Sequence, residues 1–229
     1  MKPIGLIGGL TYVSTLDYYR HLNEIMNERL GGNEAAKIIL YSVNFGEIKK
    51  LTDKDDWPNI IPLICEAAQL VEKAGAACLL IGANTMHKIA AEVQAAVNIP
   101  VLHIASAVAK EILNHGLKKV GLPGTRFTMK LNFYKDELAS HGIDCIIPGD
   151  ADAANVNETI FELFSKNIFL PETKKKYLEI IGDLQQQGAE GIIPGCTEIP
   201  ILLNQADCKI PLFDTAKIRA RAAVDFALQ

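Results

Sequence analysis

The sequence predicts an α/β protein of two pseudo-symmetric domains, each with a roughly four-stranded parallel sheet flanked by helices. The main observation is an internal repeat: residues 75–85 (GAACLLIGANT) align without a gap on residues 188–198 (GAEGIIPGCTE). KPIGL near the start returns as KKVGL at 118–122, and IPVLHIA at 99–105 returns as IPLFDTA at 210–216. Short apolar runs alternate with longer stretches of helical periodicity, which is typical of parallel β/α units. Four strand positions recur in one order, which argues against chance similarity.

The first copy opens with a buried strand, Pro3–Ile7, that ends at two glycines. We expect a helix to begin at Ser14, with Asp17 in capping-box position. We expect Gly31-Gly32 to end this helix. Proline is acceptable in the first turn of a helix, so Trp57-Pro58 predicts the start of another. The remaining elements predicted for this copy are strands at 36–43, 78–81 and 100–104 and helices at 57–74 and 85–97.

In the second copy, the sequence predicts strands at 118–122 and 145–148 and a long helix from about 173 to 187. We expect an N-terminal half of residues 1–104 plus about 212–229, and a C-terminal half of residues 105–211. In open parallel sheets, ligands bind beyond the carboxyl ends of the strands. The repeat therefore predicts an active site in the cleft between the two halves, with positions 83 and 196 facing each other.

Composition excludes several classes of function. The chain has 229 residues, 49% hydrophobic and 22% charged, and a net charge of −4. Its 23 Lys and Arg residues are scattered, so neither nucleic acid nor a membrane is an expected partner. No signal peptide or membrane-length apolar run is evident. Five cysteines without a CxxC pair predict reduced thiols and a cytoplasmic protein.

Cys196 is the strongest candidate for chemistry. It is predicted to lie at a strand end just before a helix, where free N–H groups and the helix dipole favour a thiolate. The alternative is a buried structural cysteine. The repeat places Ala83 at the equivalent position of the first copy, so one nucleophile has a methyl group as its counterpart. The other four cysteines lie in apolar contexts and are interpreted as core or incidental residues: Cys65, Cys78, Cys145 and Cys208.

Polar residues follow the predicted strand ends. Asn84, Thr85, Thr125 and Arg126 offer amide, hydroxyl and guanidinium donors, and backbone N–H groups there could hold a carboxylate. Thr85 could equally be a helix cap. His87 could be a surface residue, a base or an orienting group, and its surroundings lack metal-ligand spacing. The GLIGG turn lacks the GxGxxG spacing of a dinucleotide site.

These motifs also carry a family resemblance. GLIGGLTYVSTLDYYR, LYSVNF, ANTMHK, GTRFTM and GCTEIP, in this order, resemble the aspartate/glutamate racemase family from Ile4 to the last helix. The resemblance implies two pseudo-symmetric α/β domains, a homodimer, and neither pyridoxal phosphate, other cofactor nor metal. It also implies racemisation of aspartate or glutamate by two thiols, one from each half, that act on opposite faces of the substrate Cα.

Residue roles follow from the resemblance. Cys196 matches the second thiol, and Ala83 occupies the place of the first. Lys166, in the ELFSKN segment, resembles a basic residue that contacts the side-chain carboxylate of the substrate. The positions that match contacts to the substrate's carboxylate and amino groups are Asn84, Thr85, Thr125, Thr197 and Glu198.

Ala83 departs from the family pattern, because an alanine can neither remove nor deliver a proton. Three explanations fit the sequence. Ala83 is an engineered substitution; it is natural, with water or a neighbouring group acting on that face and one enantiomer preferred; or racemisation is lost and the protein only binds an acidic amino acid. A single-thiol decarboxylase or isomerase of the same superfamily is a further alternative, which the NTMH and GCTEIP motifs disfavour.

Overall fold

A computed structural model describes all 229 residues of the chain. The chain divides into two compact units, one of residues 1–103 with 219–229 and one of residues 104–218. Each unit contains a three-stranded parallel sheet with helices around it, which confirms the predicted α/β class. None of the helices combines the length and apolar character needed to cross a membrane.

In the first unit the strand order is β2-β1-β3, with β1 in the centre. Ile4 of the central strand pairs with Ile38 on one side and Cys78 on the other. A 3₁₀ turn, Thr85–Ile89, follows the last strand. The elements are β1 (Ile4–Gly8), α1 (Tyr12–Leu30), β2 (Ile38–Ser42), α2 (Phe45–Thr52), α3 (Trp57–Lys73), β3 (Cys78–Ile81) and α4 (Ala90–Ala96).

In the second unit the order β5-β4-β6 repeats that of the first. The elements are α5 (Ile104–Asn114), β4 (Lys119–Gly121), α6 (Arg126–Lys130), α7 (Asn132–Ser140), β5 (Asp144–Ile146), α8 (Asp150–Glu162), α9 (Pro171–Gln186), β6 (Gly191–Ile192), α10 (Ile199–Leu202) and α11 (Thr215–Ala227). Short 3₁₀ turns lie at Phe164–Lys166 and Gln205–Asp207. From Arg219 onward, α11 belongs to the first unit.

Equivalent residues of the two copies of the repeat make equivalent backbone hydrogen bonds. Gly82 N–H donates to Ile7 O at 2.8 Å, and the equivalent Gly195 N–H donates to Pro123 O at 2.7 Å. Both bonds close the end of a third strand onto the central one. Two further equivalent pairs are Ala77 N–H to Pro3 O with Glu190 N–H to Lys119 O, and Leu79 N–H to Pro100 O with Ile192 N–H to Pro211 O.

The fourth strand of each sheet is shorter than predicted. It is a single parallel bridge in each unit, Leu79 with Val101 and Ile192 with Leu212. A proline precedes each bridge residue and cannot donate a ladder hydrogen bond. The strand predicted over 100–104 also ends early because α5 begins at Ile104.

Three helices differ from the predictions. The capping box at Ser14 and Asp17 is wrong, because Thr11 is the N-cap of α1 and its hydroxyl accepts from Ser14 N–H at 3.2 Å. The helix predicted over 85–97 is divided into a 3₁₀ turn and α4. Helix α2 was not predicted.

Candidate active site

Cys196 and Glu198 form a buried thiol–carboxylate pair in the second unit. Their side chains are 7% and 3% exposed. The Cys196 thiol donates to Glu198 Oε2 at 2.8 Å, and the Thr197 hydroxyl donates to the same oxygen at 3.0 Å. One carboxylate oxygen of Glu198 therefore accepts hydrogen bonds from both Cys196 and Thr197.

This environment keeps the thiol protonated. Burial raises the pKa of Cys196 well above its usual value, and the negative charge of Glu198 raises it further. The backbone N–H groups of Thr197 and Glu198 act in the opposite direction without offsetting burial. The expectation that a helix start stabilises a thiolate is wrong here, because α10 has four residues and starts only after Glu198.

Thr125 lies at the neighbouring strand end in the same unit. Gly124 and Gly195 pair as a parallel bridge, so Thr125 and Cys196 follow paired residues. A Cβ on Gly124 would come within 2.9 Å of the Gly195 backbone, which only glycine avoids. Thr125 caps α6: its hydroxyl accepts from Thr128 N–H at 3.2 Å. The sheet thus gathers Thr125, Cys196, Thr197 and Glu198 of the predicted set.

Lys166 lies on the surface at the end of the Phe164–Lys166 turn. Its ammonium group pairs with Glu162 at 2.9 Å, and both side chains are more than half exposed. A pair this exposed contributes little to stability. Lys166 is therefore an exposed cation of the second unit and is not part of the buried group around Cys196.

The other predicted residues lie in the first unit, directly after β3. Ala83 follows Gly82 and is half-buried, Asn84 is buried, and Thr85 begins the 3₁₀ turn. Ala83 is thus structurally equivalent to Cys196, since Gly82 and Gly195 make the same closing bond. The side chain at this position is a methyl group.

His87 is a buried residue of this turn, so the alternative that it is a surface residue is wrong. Its Nδ1 lies 2.8 Å from Ala83 O, and its Nε2 contacts the Arg219 guanidinium. Burial lowers the pKa of His87 well below its usual value, and the charge of Arg219 lowers it further. The imidazole is therefore neutral, and each of its nitrogens has a polar partner.

Sequence reasoning missed Arg219. It is fully buried on α11, where it also donates to Ile81 O. The available signal was its place in the apolar stripe of that helix, three residues after Ala216 and four before Ala223. Neither unit gathers three or more His, Cys, Asp or Glu side chains that could hold a metal ion.

Comparison with known proteins shows the family of the chain. The family model for Asp/Glu/Hydantoin racemase matches residues 7–223. A candidate Asp/Glu racemase from Yersinia pestis is 46% identical, with a TM-score of 0.91 over 100% of both chains. An aspartate racemase homologue from Pyrococcus horikoshii OT3 is 36% identical, with a TM-score of 0.87 over 100% of both chains. The broad specificity amino-acid racemase RacX of Bacillus subtilis (strain 168) is 29% identical over 161 residues, 70% of this chain and 69% of RacX. The chain therefore belongs to the Asp/Glu/Hydantoin racemase family.

Proposed function

We propose that this protein exchanges the Cα proton of an acidic amino acid, aspartate or glutamate, without a cofactor, and that it does so from one face only. The observation that carries the proposal is the asymmetry between equivalent positions: Cys196 hydrogen-bonds to a buried carboxylate, and Ala83 has no proton to give. Family membership supports amino acid racemase chemistry, and this asymmetry predicts its one-sided form.

The proposed reaction begins within the thiol–carboxylate pair. The Cys196 proton moves to Glu198, and the resulting thiolate removes the Cα hydrogen as a proton. The electron pair of the C–H bond delocalises into the substrate carboxylate. The same thiol then returns a proton to the same face, so the product keeps its configuration. In D₂O the returned proton is a deuteron once the thiol has exchanged with solvent.

An amino acid Cα–H is a very weak acid, so the carbanion needs preorganised donors. We propose that Thr125 and Thr197 in the second unit, and Asn84 and Thr85 in the first, bind the substrate's carboxylate and amino groups. A single well-placed donor lowers the barrier by roughly 3–4 kcal/mol. Lys166 would release Glu162 and bind the distal carboxylate. A homodimer remains part of the proposal on family resemblance.

Proton NMR in D₂O tests the function. Each enantiomer of aspartate and glutamate is incubated with the protein, and the Cα–H signal is followed. We expect the Cα–H signal of one enantiomer only to be lost. With Cys196→Ala we expect no signal to be lost. Cys208→Ala is the matched control, because Cys208 is a half-buried thiol of the same unit. Exchange that survives Cys196→Ala would mean that another residue is the base.

The competing function is binding without catalysis, which Ala83 also favours. Measurable binding of an acidic amino acid, with no exchange from either enantiomer, would support this alternative and exclude the proposed reaction. Ala83→Cys separates the two functions further. We expect this variant to exchange the second enantiomer as well, because it restores a thiol at the position equivalent to Cys196.

A further inference from the structure

Three consecutive carbonyl groups lie at the end of β3: that of Ile81, its last residue, and those of Gly82 and Ala83, which follow it. Each is approached by a side chain from a different element. Arg219 donates to Ile81 O, and His87 Nδ1 lies 2.8 Å from Ala83 O. The Ser14 hydroxyl, on α1, lies 3.3 Å from Gly82 O. All of these residues belong to the first unit.

The protons on this network can be assigned from chemistry. A guanidinium group only donates, so His87 Nε2 must accept from Arg219. The hydrogen of the neutral imidazole is then on Nδ1 and donates to Ala83 O. Donation runs in one direction, from Arg219 through His87 to the backbone of residue 83. This fixes the tautomer and the orientation of the ring.

The second unit shows that the fold does not require this network. Pro194 is equivalent to Ile81, and its carbonyl accepts from the hydroxyl of Thr215 at 3.4 Å. The repeat puts Pro200 at the place of His87. The Cys196 carbonyl accepts from Ile199 N–H at 3.2 Å instead. The same strand end thus forms without a buried histidine or arginine.

Burying a guanidinium and an imidazole is unfavourable unless each is hydrogen-bonded. The first unit buries these two groups next to residue 83, and the second unit buries no such groups at the equivalent strand end. The network is therefore specific to position 83 and is not a general feature of this strand end. Small errors of position are expensive in catalysis: a displacement of about 1 Å can lower a rate roughly 100-fold.

We propose that His87 and Arg219 are positioning residues that fix the backbone of residue 83, and with it the direction of the side chain at 83 and of Asn84. The inference rests on the proposed function, because it assigns position 83 to the substrate face that Cys196 does not serve. It predicts that a side chain placed at 83 is held ready to act although the present residue is alanine.

The test uses the full-length Ala83→Cys chain, whose exchange of the second enantiomer depends on where the new thiol lies. Adding His87→Leu or Arg219→Met should lower kcat for that enantiomer about 100-fold, with KM changed less than about threefold. His87→Asn should restore most of the rate, because the asparagine amide can donate to Ala83 O as Nδ1 does. The control is Met26→Ala: Met26 is buried on α1 twelve residues after Ser14, about 18 Å along the helix.

Met26→Ala should lower the melting temperature without changing the ratio of the rates for the two enantiomers. Equal loss in His87→Asn and His87→Leu, or a full rate in both His87→Leu and Arg219→Met, would overturn the positioning role. A ¹⁵N spectrum of the Ala83→Cys chain, the parent of these variants, gives a readout that does not depend on activity. We expect a neutral His87 with its hydrogen on Nδ1, whereas the Nε2–H tautomer would overturn the inference. Failure of the parent to exchange either enantiomer would remove the proposed function and leave the tautomer result to decide the network.

Discussion

Glu198 sets the protonation of Cys196 in two opposing ways. Burial raises the pKa of the thiol most and the charge of Glu198 raises it further, yet the carboxylate of Glu198 also accepts the hydrogen bond of the thiol. Glu198→Gln should therefore lower the pKa of Cys196 toward the ordinary 9.0. The rate at which iodoacetamide alkylates Cys196 should then begin to rise at a lower pH. Cα exchange should nevertheless fall, by about 10²–10⁴-fold, because the acceptor is lost.

Mass spectrometry of the Cys196 peptide separates this thiol from the other four. Glu158→Gln is the matched control, since Glu158 is an exposed carboxylate of the same unit. An unchanged exchange rate in Glu198→Gln would remove Glu198 from the mechanism, whatever happens to the alkylation profile.

His87 should make stability depend on pH. The folded protein keeps His87 neutral, whereas in the unfolded chain it takes up a proton below about pH 6.5. Because the unfolded state then binds more protons, the free energy of unfolding should fall as the pH drops from about 7 to 5, by up to about 1.4 kcal/mol per pH unit. The stability lost through His87 is thus regained above about pH 6.5.

Urea denaturation over this range, with His87→Asn as the comparison, measures the contribution. Carboxylates titrate mostly below pH 5 and contribute little to the difference between the two proteins. A parent and variant with the same pH dependence would show that His87 titrates in the folded protein as it does in the unfolded one.

Site residues could be predicted where they follow a repeat and not where they depend on tertiary contact. Alignment of the two copies singled out Cys196 and its counterpart Ala83. The raised pKa of the thiol could not be predicted, because it arises from burial among apolar side chains such as Tyr177 and Ile199. Arg219 was not predicted because an arginine on a helix that also carries Lys217 and Arg221 is usually a solvated residue.

The turn from β1 to α1 depends on the absence of a side chain at Gly9. Gly9 has φ +75°, and a Cβ there would lie 2.1 Å from Val43 O. Gly31 has nearly the same φ, +77°, but a Cβ there would meet nothing within 4 Å. Gly31→Ala should destabilise the protein by about 1–3 kcal/mol through backbone strain alone. Gly9→Ala should destabilise it more.

Chemical denaturation of the two alanine variants measures the difference. If both lose the same free energy of unfolding, then Val43 moves aside without cost and the close approach at Gly9 has no structural role. A Gly9→Ala chain that does not fold agrees with the prediction, provided that Gly31→Ala folds.

Buried elements were easier to predict than edge elements. The strand predicted at 78–81 is β3, and the helix predicted at 57–74 is α3, because both have long apolar patterns. Helix α2 was missed although Asn44 and Glu47 have the spacing of a capping signal, and Asn44 Oδ1 does accept from Gly46 N–H. Eight residues with two buried side chains leave a weak pattern.

The first unit is assembled from both ends of the described chain. Lys2 N–H donates to Ala227 O at 2.9 Å, and Arg29 pairs with Asp225 at 2.9 Å. Arg219 supplies the buried contacts at the end of β3. The second unit contains its sheet and core within one continuous segment, residues 104–218. The two copies of the repeat therefore form one unit from two separate segments of the chain and one unit from a single segment.

Removal of residues 219–229 should act on the first unit before the second. Hydrogen exchange should show protection lost in β1 and β3 while β4 and β6 remain protected, because only the first unit includes the deleted segment. Asp225→Asn is the control, since it removes only an exposed ion pair and should change protection little. Equal loss of protection in all four strands would mean that the two units unfold as one cooperative body.

The discontinuous first unit has a consequence for synthesis on the ribosome. Domains usually fold in the order in which they are made, at about 5–20 residues per second. Here the segment 104–218 is complete before Arg219 emerges, and translating it takes roughly 6–23 s at that speed. Throughout that interval the nascent first unit has His87 without Arg219 and Lys2 without Ala227. The unit that begins translation first thus finishes folding last, and its apolar surfaces are the ones exposed to chaperones and proteases meanwhile.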